Sequence, residues 1–408
     1  MPAIQDILAA VAVVASLAFL AGRTRAMTLA RIEGVPLTSL SVYYGWYCTL
    51  GSLLPTFLAG VIGWFLPISD TALGVALPVI AVVSAVVCVM QISPELHTQR
   101  RVEKLIKGML LASGVVAILT TLGIVLSLIF ETGQFFRSDR VSVLNFFFGT
   151  EWSAQTSASF GALPLFFGTF FVAGIAILVA APIGLFSAIY LSEYASPRSR
   201  ALIKPVLEVL AGIPTVVYGF FAILVVAPLV RQFGMALDDI LRPLNGGETV
   251  IAAQPKSALA AGLVMGVMII PFISSLSDDV LRTVPSKLKN GALGVGATRA
   301  EMMADIVLPV AFPGLMAALL LAISRAIGET MIVVMAAGER ANLTVNPFED
   351  ITTVTVQIVA LMTGDPEFDN PRTLSAFALG AVLFVLTLVF NAFSQWIVER
   401  QRKRYAGL

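Results

Sequence analysis

Long apolar runs, each about the length needed to cross a bilayer and nearly free of charge, constrain this chain more than any other feature. They fall near Ile7–Gly22, Tyr47–Leu66, Ala72–Gln91, Met109–Phe130, Leu165–Leu191, Val206–Val230, Ser257–Leu276, Pro313–Ala337 and Thr373–Ile397. Lipid offers the backbone no hydrogen bonds, so each run must satisfy its own amides as a helix. The expected fold is an all-α integral membrane protein with about nine transmembrane helices. With 58% hydrophobic and 12% charged residues, a soluble class is excluded. The first run is the shortest. It follows Asp6 and precedes Arg23, Arg25 and Arg31, the wrong polarity for a signal peptide.

Charge sets the orientation. With the N-terminus outside, 18 of the 26 Lys and Arg residues fall in inside loops, seven fall outside, and Arg325 lies within a run. This bias predicts an N-terminus outside, a cytoplasmic C-terminus and a cytoplasmic stretch Asn290–Pro309. A boundary is expected near His97–Lys107. Residues 1–106 hold three runs of little polar content. Residues 107–408 hold six, with prolines such as Pro182, Pro214 and Pro271 inside them. Gly262 and Gly266 have the spacing that lets a neighbouring helix approach.

The stretch NGALGVGATRAEMMADIVLP, residues 290–309, reads as two short helices around a sharp corner. Leu281, Val284, Leu288, Ala292 and Val295 recur at helical spacing and predict one face. Gly294 and Gly296 give the corner its backbone freedom, and Thr298 with Glu301 forms a capping-box pattern. Met302, Met303, Ile306 and Val307 line the second helix, with Pro309 at its end. Leu288, Leu293, Met302 and Met303 need a cover, either lipid or the groove of a partner protein.

Chemistry-bearing residues inside the runs are few. ISRAIGETM holds Arg325 and Glu329 one helical turn apart, with Ser324 and Thr330 alongside. A guanidinium among hydroxyls suits a phosphate-like oxyanion, whereas an i,i+4 salt bridge would neutralise itself. Gly328 allows close backbone approach. GIPTVVYG, residues 212–219, predicts a bent span in which Thr215 serves freed carbonyls or a cavity. Glu208 lies near the inside end of that span. Phe135, Phe136, Phe146, Phe147, Phe148 and Trp152 form an aromatic cluster in an outside loop, an interfacial anchor or a docking surface. The loop from Gly338 to Pro371 carries Glu339, Glu349, Asp350, Asp365, Glu367 and Asp369 against Arg340, a poor resting place for an anion. Two cysteines in apolar runs and one histidine give no disulfide framework and no metal constellation. No Gly-Lys dipeptide exists, so there is no P-loop.

Residues 290–309 resemble the coupling loop of ABC-importer permeases: Ala292, Gly296, Ile306, Leu308 and Pro309 match in register, while Asn290 and Gly291 replace Glu and Ala. AGIPTVVYG, SRAIGETM and NFFFGTEW narrow the resemblance to the C-type permease subunit of the phosphate-specific importer, over about Lys107 to Arg404. Residues 1–106 look like an N-terminal membrane extension. The resemblance implies a six-span type I core in the bacterial inner membrane, bounded by lipid. It implies a second, A-type permease, ATPase subunits, a periplasmic phosphate-binding protein and inorganic phosphate as substrate. It implies no nucleic acid. No cofactor is expected in this chain, since ATP and Mg are used by the partner ATPase. On this reading Arg325, Glu329, Ser324, Thr330 and Thr215 line the substrate path. Ala292, Gly296, Ala297, Thr298, Glu301, Ile306, Leu308 and Pro309 couple to the ATPase. The alternatives are an ABC permease for sulfate, molybdate or a phosphonate, a gradient-driven transporter or channel, and a membrane scaffold or sensor.

Overall fold

The computed structural model describes residues 4–66, 69–138, 141–154, 158–246, 248–363 and 370–405. Asp365, Glu367, Asp369 and Arg140 lie outside the described residues. The chain divides into two compact units, Met1–Gly123 and Ile124–Leu408. Among the described residues, nine helices are long and apolar enough to cross a membrane.

The first unit holds α1 (Ile4–Glu33), α2 (Ser41–Phe65), α3 (Asp70–Met90) and the first part of α4 (Thr98–Arg137). The sequence marks only sixteen residues of α1, yet the helix runs on through Arg23, Arg25 and Arg31. Its three arginines do not stop it because arginine is a good helix former. Small residues let these helices meet, as expected where lipid supplies no hydrophobic drive. A Cβ on Gly22 would lie 2.8 Å from the Tyr44 carbonyl, and one on Gly51 would overlap the Cys88 sulfur. Ala18, Ala26, Tyr44, Tyr47, Cys48, Ala85, Ile92 and Val102 form the core.

The second unit is built around α6 (Leu163–Ile189) and α10 (Ala258–Thr283), after α5 (Val143–Phe148) and a short hairpin, β1 (Trp152–Ser153) and β2 (Ser159–Phe160). Gly262 and Gly266 do admit a neighbour: their missing side chains accommodate Ile175 and the Ala176 carbonyl of α6. Between α6 and α10 come α7 (Pro197–Ala211), α8 (Thr215–Phe221) and α9 (Ala227–Leu241). The expected span Val206–Val230 is thus corrected: Pro214 has no amide hydrogen and pushes Ile213 out of helix, so the chain breaks at 212–214. Glu208 belongs to α7, not to a span, and is exposed.

After α10 come α11 (Ser286–Gly294), α12 (Arg299–Glu301), α13 (Leu308–Ile327), α14 (Met331–Ala336), α15 (Val354–Met362) and α16 (Pro371–Tyr405). Two wide π turns, Ala222–Val226 and Met302–Val307, precede Pro228 and Pro309. There the Ala227 and Leu308 amides reach back five residues, to Ala222 and Met303. The extra residue per turn makes room for a proline ring that would clash in a regular helix.

The aromatic cluster is neither anchor nor docking face for the most part. Phe135, Phe146, Trp152 and Phe160 are buried together edge to face, a small core of their own. Phe148 remains 73% exposed and Phe147 40%.

Candidate functional site

Two corners interrupt the second unit, one at each end of α13. At the first, α10 stops at Thr283 and α11 starts after Pro285, so Leu281 to Val295 do not share one helical face. Proline 285 ends the expected periodicity. Leu281, Val284 and Ala292 are buried, whereas Val295 is 87% exposed. Gly296 adopts φ +94°, a conformation that side chains resist, and turns the chain. Thr298 then accepts the Glu301 amide while Glu301 accepts the Thr298 amide at 2.8 Å, completing the capping box.

The helix so opened does not end at Pro309. It continues through the π turn to Ile327 as one run, Arg299–Ile327. Met302 and Met303 are 3% and 4% exposed. They pack with Ala292, Val307 and Ala311, with Ala297, Ile306 and Leu308 half-buried around them, rather than waiting for a partner. Leu288, Leu293 and Val295 stay uncovered, and Pro309 is exposed.

Around this elbow lie ion pairs that sequence reading missed. Asp278, 1% exposed, receives Arg200 at 2.5 Å and Lys204 at 3.2 Å, and Lys204 also reaches Asp279 at 3.0 Å. The Asp279 hydrogen bond, with that of Asp278, holds Lys204 above the usual ammonium range despite some burial. Lys289 of α11 pairs with Glu193 and donates to the Leu281 carbonyl. The one signal available was two adjacent acids closing an apolar run. Their partners come from other elements.

At the second corner α13 ends at Ile327, and Gly328, Glu329 and Thr330 precede α14. Arg325 and Glu329 therefore do not stand one turn apart on a continuous helix, and no ion pair joins them among the described residues. Gly328 closes α13, its amide bonded to the Ser324 carbonyl at 3.2 Å, and the Glu329 carboxylate turns to the Met331 amide at 3.2 Å. A short local bond to that amide takes the place of the expected i,i+4 pair. A Cβ at Gly328 would meet only carbonyls of its own helix at 3.6 Å and beyond, so no other element approaches it.

The Arg325 guanidinium is exposed and stands over the Phe272 ring of α10, 5.7 Å from its centre. Ser324, Glu329 and Thr330 are half-buried beside it in sequence, and Thr330 donates to the Gly328 carbonyl at 3.5 Å.

Thr215 opens α8 at the other break, which Tyr218 spans by donating to the Leu210 carbonyl at 3.0 Å. Gly219 brings α8 against Met331 and Met335 of α14, where a Cβ would meet the Met335 sulfur at 2.4 Å. The two interrupted segments therefore lie side by side. Among the described bonds, none links the Thr215 hydroxyl to Arg325, Ser324, Glu329 or Thr330.

A buried polar chain supports this second corner. Thr355 donates to the Glu329 carbonyl at 2.9 Å, and Thr169 accepts the Val354 amide at 3.1 Å. Gln357 accepts the Trp152 indole at 3.0 Å and donates to Thr352 at 3.2 Å and to the Glu339 carbonyl at 3.3 Å. Sequence reading missed it, because Thr and Gln in an apolar run give no sign of which carbonyl they will meet. Of the acidic loop, Asp350 pairs with Arg340 at 3.5 Å and Glu339 approaches Lys256 at 4.0 Å.

The bundle is polytopic, with paired helix breaks, a capped two-helix elbow and an Arg325 that joins no salt bridge among the described residues. A family model described as the inner membrane component of binding-protein-dependent transport systems matches residues 180–403. The chain belongs to that family, as an ABC importer permease. A second model, described as a phosphate ATP-binding cassette transporter, matches residues 8–73. The probable ABC transporter permease protein YqgH of Bacillus subtilis is 30% identical over 77% of this chain and 97% of its own length. The phosphate transport system permease protein PstC of Mesorhizobium japonicum is 34% identical over 63% of this chain and 78% of its own. PstC of Haemophilus influenzae is 33% identical over 64% and 82%. Among solved structures, a bacterial ABC transporter involved in alginate import aligns over 74% of this chain and 99% of its own at 16% identity, TM-score 0.48.

Proposed function

We infer that this chain is the C-type permease subunit of an ATP-driven phosphate importer in the bacterial inner membrane. The observation that carries the reading is the pairing, on one chain, of a permease domain with an N-terminal match to a phosphate transporter family. Relatives named as phosphate permeases at 33–34% identity support it further.

On this reading residues 1–106 are a membrane extension and 107–408 the permease domain. The N-terminus is periplasmic, and the elbow and C-terminus are cytoplasmic, following the positive-inside bias. An A-type permease completes the path, a periplasmic binding protein delivers phosphate, and ATPase subunits consume ATP with Mg. On this reading the nucleotide is bound by those subunits and not by this chain. The uncovered Leu288, Leu293 and Val295 receive the ATPase, while Gly296, Thr298 and Glu301 fix the corner they stand on. Ala292, Ala297, Ile306, Leu308 and Pro309 join that corner to α13.

Arg325 offers its fork to phosphate as it passes, with Ser324, Thr330 and Thr215 as further hydroxyls of the path. Glu329, turned to the Met331 amide, leaves the guanidinium free while its negative charge limits retention, since transport requires release. In vesicles carrying the assembled importer, Arg325→Ala is expected to cut ATP-dependent phosphate uptake by more than about tenfold, with normal insertion. Full uptake by that variant would remove Arg325 from the path. Competition by sulfate or molybdate as strong as by phosphate would replace the substrate.

A further inference from the structure

The first unit carries a charge asymmetry that the importer reading does not use. Its loops 34–40 and 91–97 lie at one end, tied together by Thr38 and Tyr44, which both donate to the Pro94 and Leu96 carbonyls. Ser39 accepts the Gln99 amide there. To that end the chain brings Arg23, Arg25, Arg31, Arg100, Arg101, Lys104 and Lys107, with Glu33, Glu95 and Glu103 as the acids. No salt bridge involves any of these cations among the described residues.

Two of the arginines are placed rather than loose. Arg25 is half-buried and donates through Nη2 to the Met90 carbonyl at 3.3 Å. Arg101 donates to the Tyr47 hydroxyl at 3.4 Å and lies over the same ring, 5.9 Å from its centre. Tyr47 in turn donates to Gln91, the residue after Met90, at 3.2 Å. Carbonyl, amide and phenol thus orient two guanidinium groups around one strip of chain, Met90–Gln91, without neutralising either. Their remaining donors can take an oxyanion in a forked geometry.

The surroundings say what kind of oxyanion. Below Arg25 on α1 lie the exposed Leu17 and Leu20, and beyond Arg101 on α4 lie the exposed Ile106, Met109 and Leu110. At 1.5 Å per residue these apolar side chains sit roughly 8–14 Å from the arginines along their helices. Trp46, half exposed and edge-on to Phe19, has the amphipathic ring favoured at a membrane boundary. A ligand satisfying all of this has a phosphodiester at one end and acyl chains at the other.

We propose that Arg25 and Arg101, organised by Tyr47 and Gln91, bind the head group of an anionic phospholipid of the inner leaflet, its chains lying along α1 and α4. The proposal rests on the cytoplasmic placement of this end. It is independent of what the permease carries.

The test uses the full chain in detergent, exchanged into phosphatidylcholine with a limiting amount of phosphatidylglycerol, and counts retained lipid by native mass spectrometry. The wild type is expected to retain phosphatidylglycerol even with excess inorganic phosphate. Arg25→Gln and Arg101→Gln are each expected to weaken retention about fivefold, equivalent to ~1 kcal/mol per cation at a membrane surface. Arg100→Gln and Lys107→Gln serve as matched charge removals outside the pair and are expected to do less. Arg25→Lys with Arg101→Lys keeps the charge and the fold but loses the fork, and is expected to lose most of the selectivity. Equal losses at all four positions, full retention by the double lysine variant, or displacement of lipid by inorganic phosphate alone would each overturn it.

Discussion

The two ends of the permease unit are held together by different physics. The elbow end relies on charge: Arg200 and Lys204 on Asp278 and Asp279, Lys289 on Glu193, and the Thr298–Glu301 box. The opposite end relies on neutral, buried hydrogen bonds running from Trp152 through Gln357 and from Thr355 to Glu329. Those ion pairs are mostly buried, Asp278 being 1% exposed and Lys289 and Glu193 16% and 14%, so parting one leaves a charge away from water; only the Lys204–Asp279 pair has an exposed partner. A buried neutral network has no water to fall back on, so it fixes one geometry. The contrast teaches that charge, not access to water, separates the two ends: buried ion pairs fasten the elbow, and neutral buried groups fasten the other end.

Substitutions can break or sharpen that contrast. The largest expected effect is Gln357→Leu, which strands the Trp152 indole and removes the donor to Thr352 and to the Glu339 carbonyl. A loss of about 3 kcal/mol, seen as a lowered Tm of the purified chain, follows from leaving such groups buried and unpaired. Molar salt should leave that loss unchanged.

Asp278→Asn comes next, at about 2 kcal/mol, because hydrogen bonds to charged groups outweigh neutral ones. Arg200 and Lys204 are partly exposed and recover some solvation. Because Asp278 is 1% exposed, molar salt should reduce this loss only slightly, and a loss that vanished in salt would show the pair to be open to water.

Gly296→Val forces a β-branched residue into positive φ, at roughly 1–3 kcal/mol. Since the strain is local, Tm should fall little while coupled ATPase and uptake fall together. Smallest is Thr298→Ala, about 1 kcal/mol for a lost N-cap, read as faster amide exchange over residues 299–303.

The elbow was the most legible part of the site. Gly296 and the Thr298–Glu301 box carry their meaning in three or four neighbouring residues, and the structure uses them as written. Legibility failed where a residue's role depends on elements far along the chain. Met302 and Met303 read as surface because the apolar groups that cover them, Leu281 and Ala188 among them, come from other helices. Arg325 and Glu329 read as a helical pair because nothing in their spacing announces that Gly328 ends the helix and that Glu329 turns to its own Met331 amide. Pro309 read as a stop because periodicity assumes regular turns. The π turn before it is a property of packing.

That π turn has a mechanical meaning. From Arg299 to Arg325 the backbone is one unbroken lever of ~39 Å, at 1.5 Å per residue. A tilt of about five degrees at the elbow swings its far tip by ~3 Å, comparable to one hydrogen-bond length. Had Pro309 snapped the rod, a push at the elbow would have died within one turn. Because it does not, a small nudge there is carried to Arg325 at the other end.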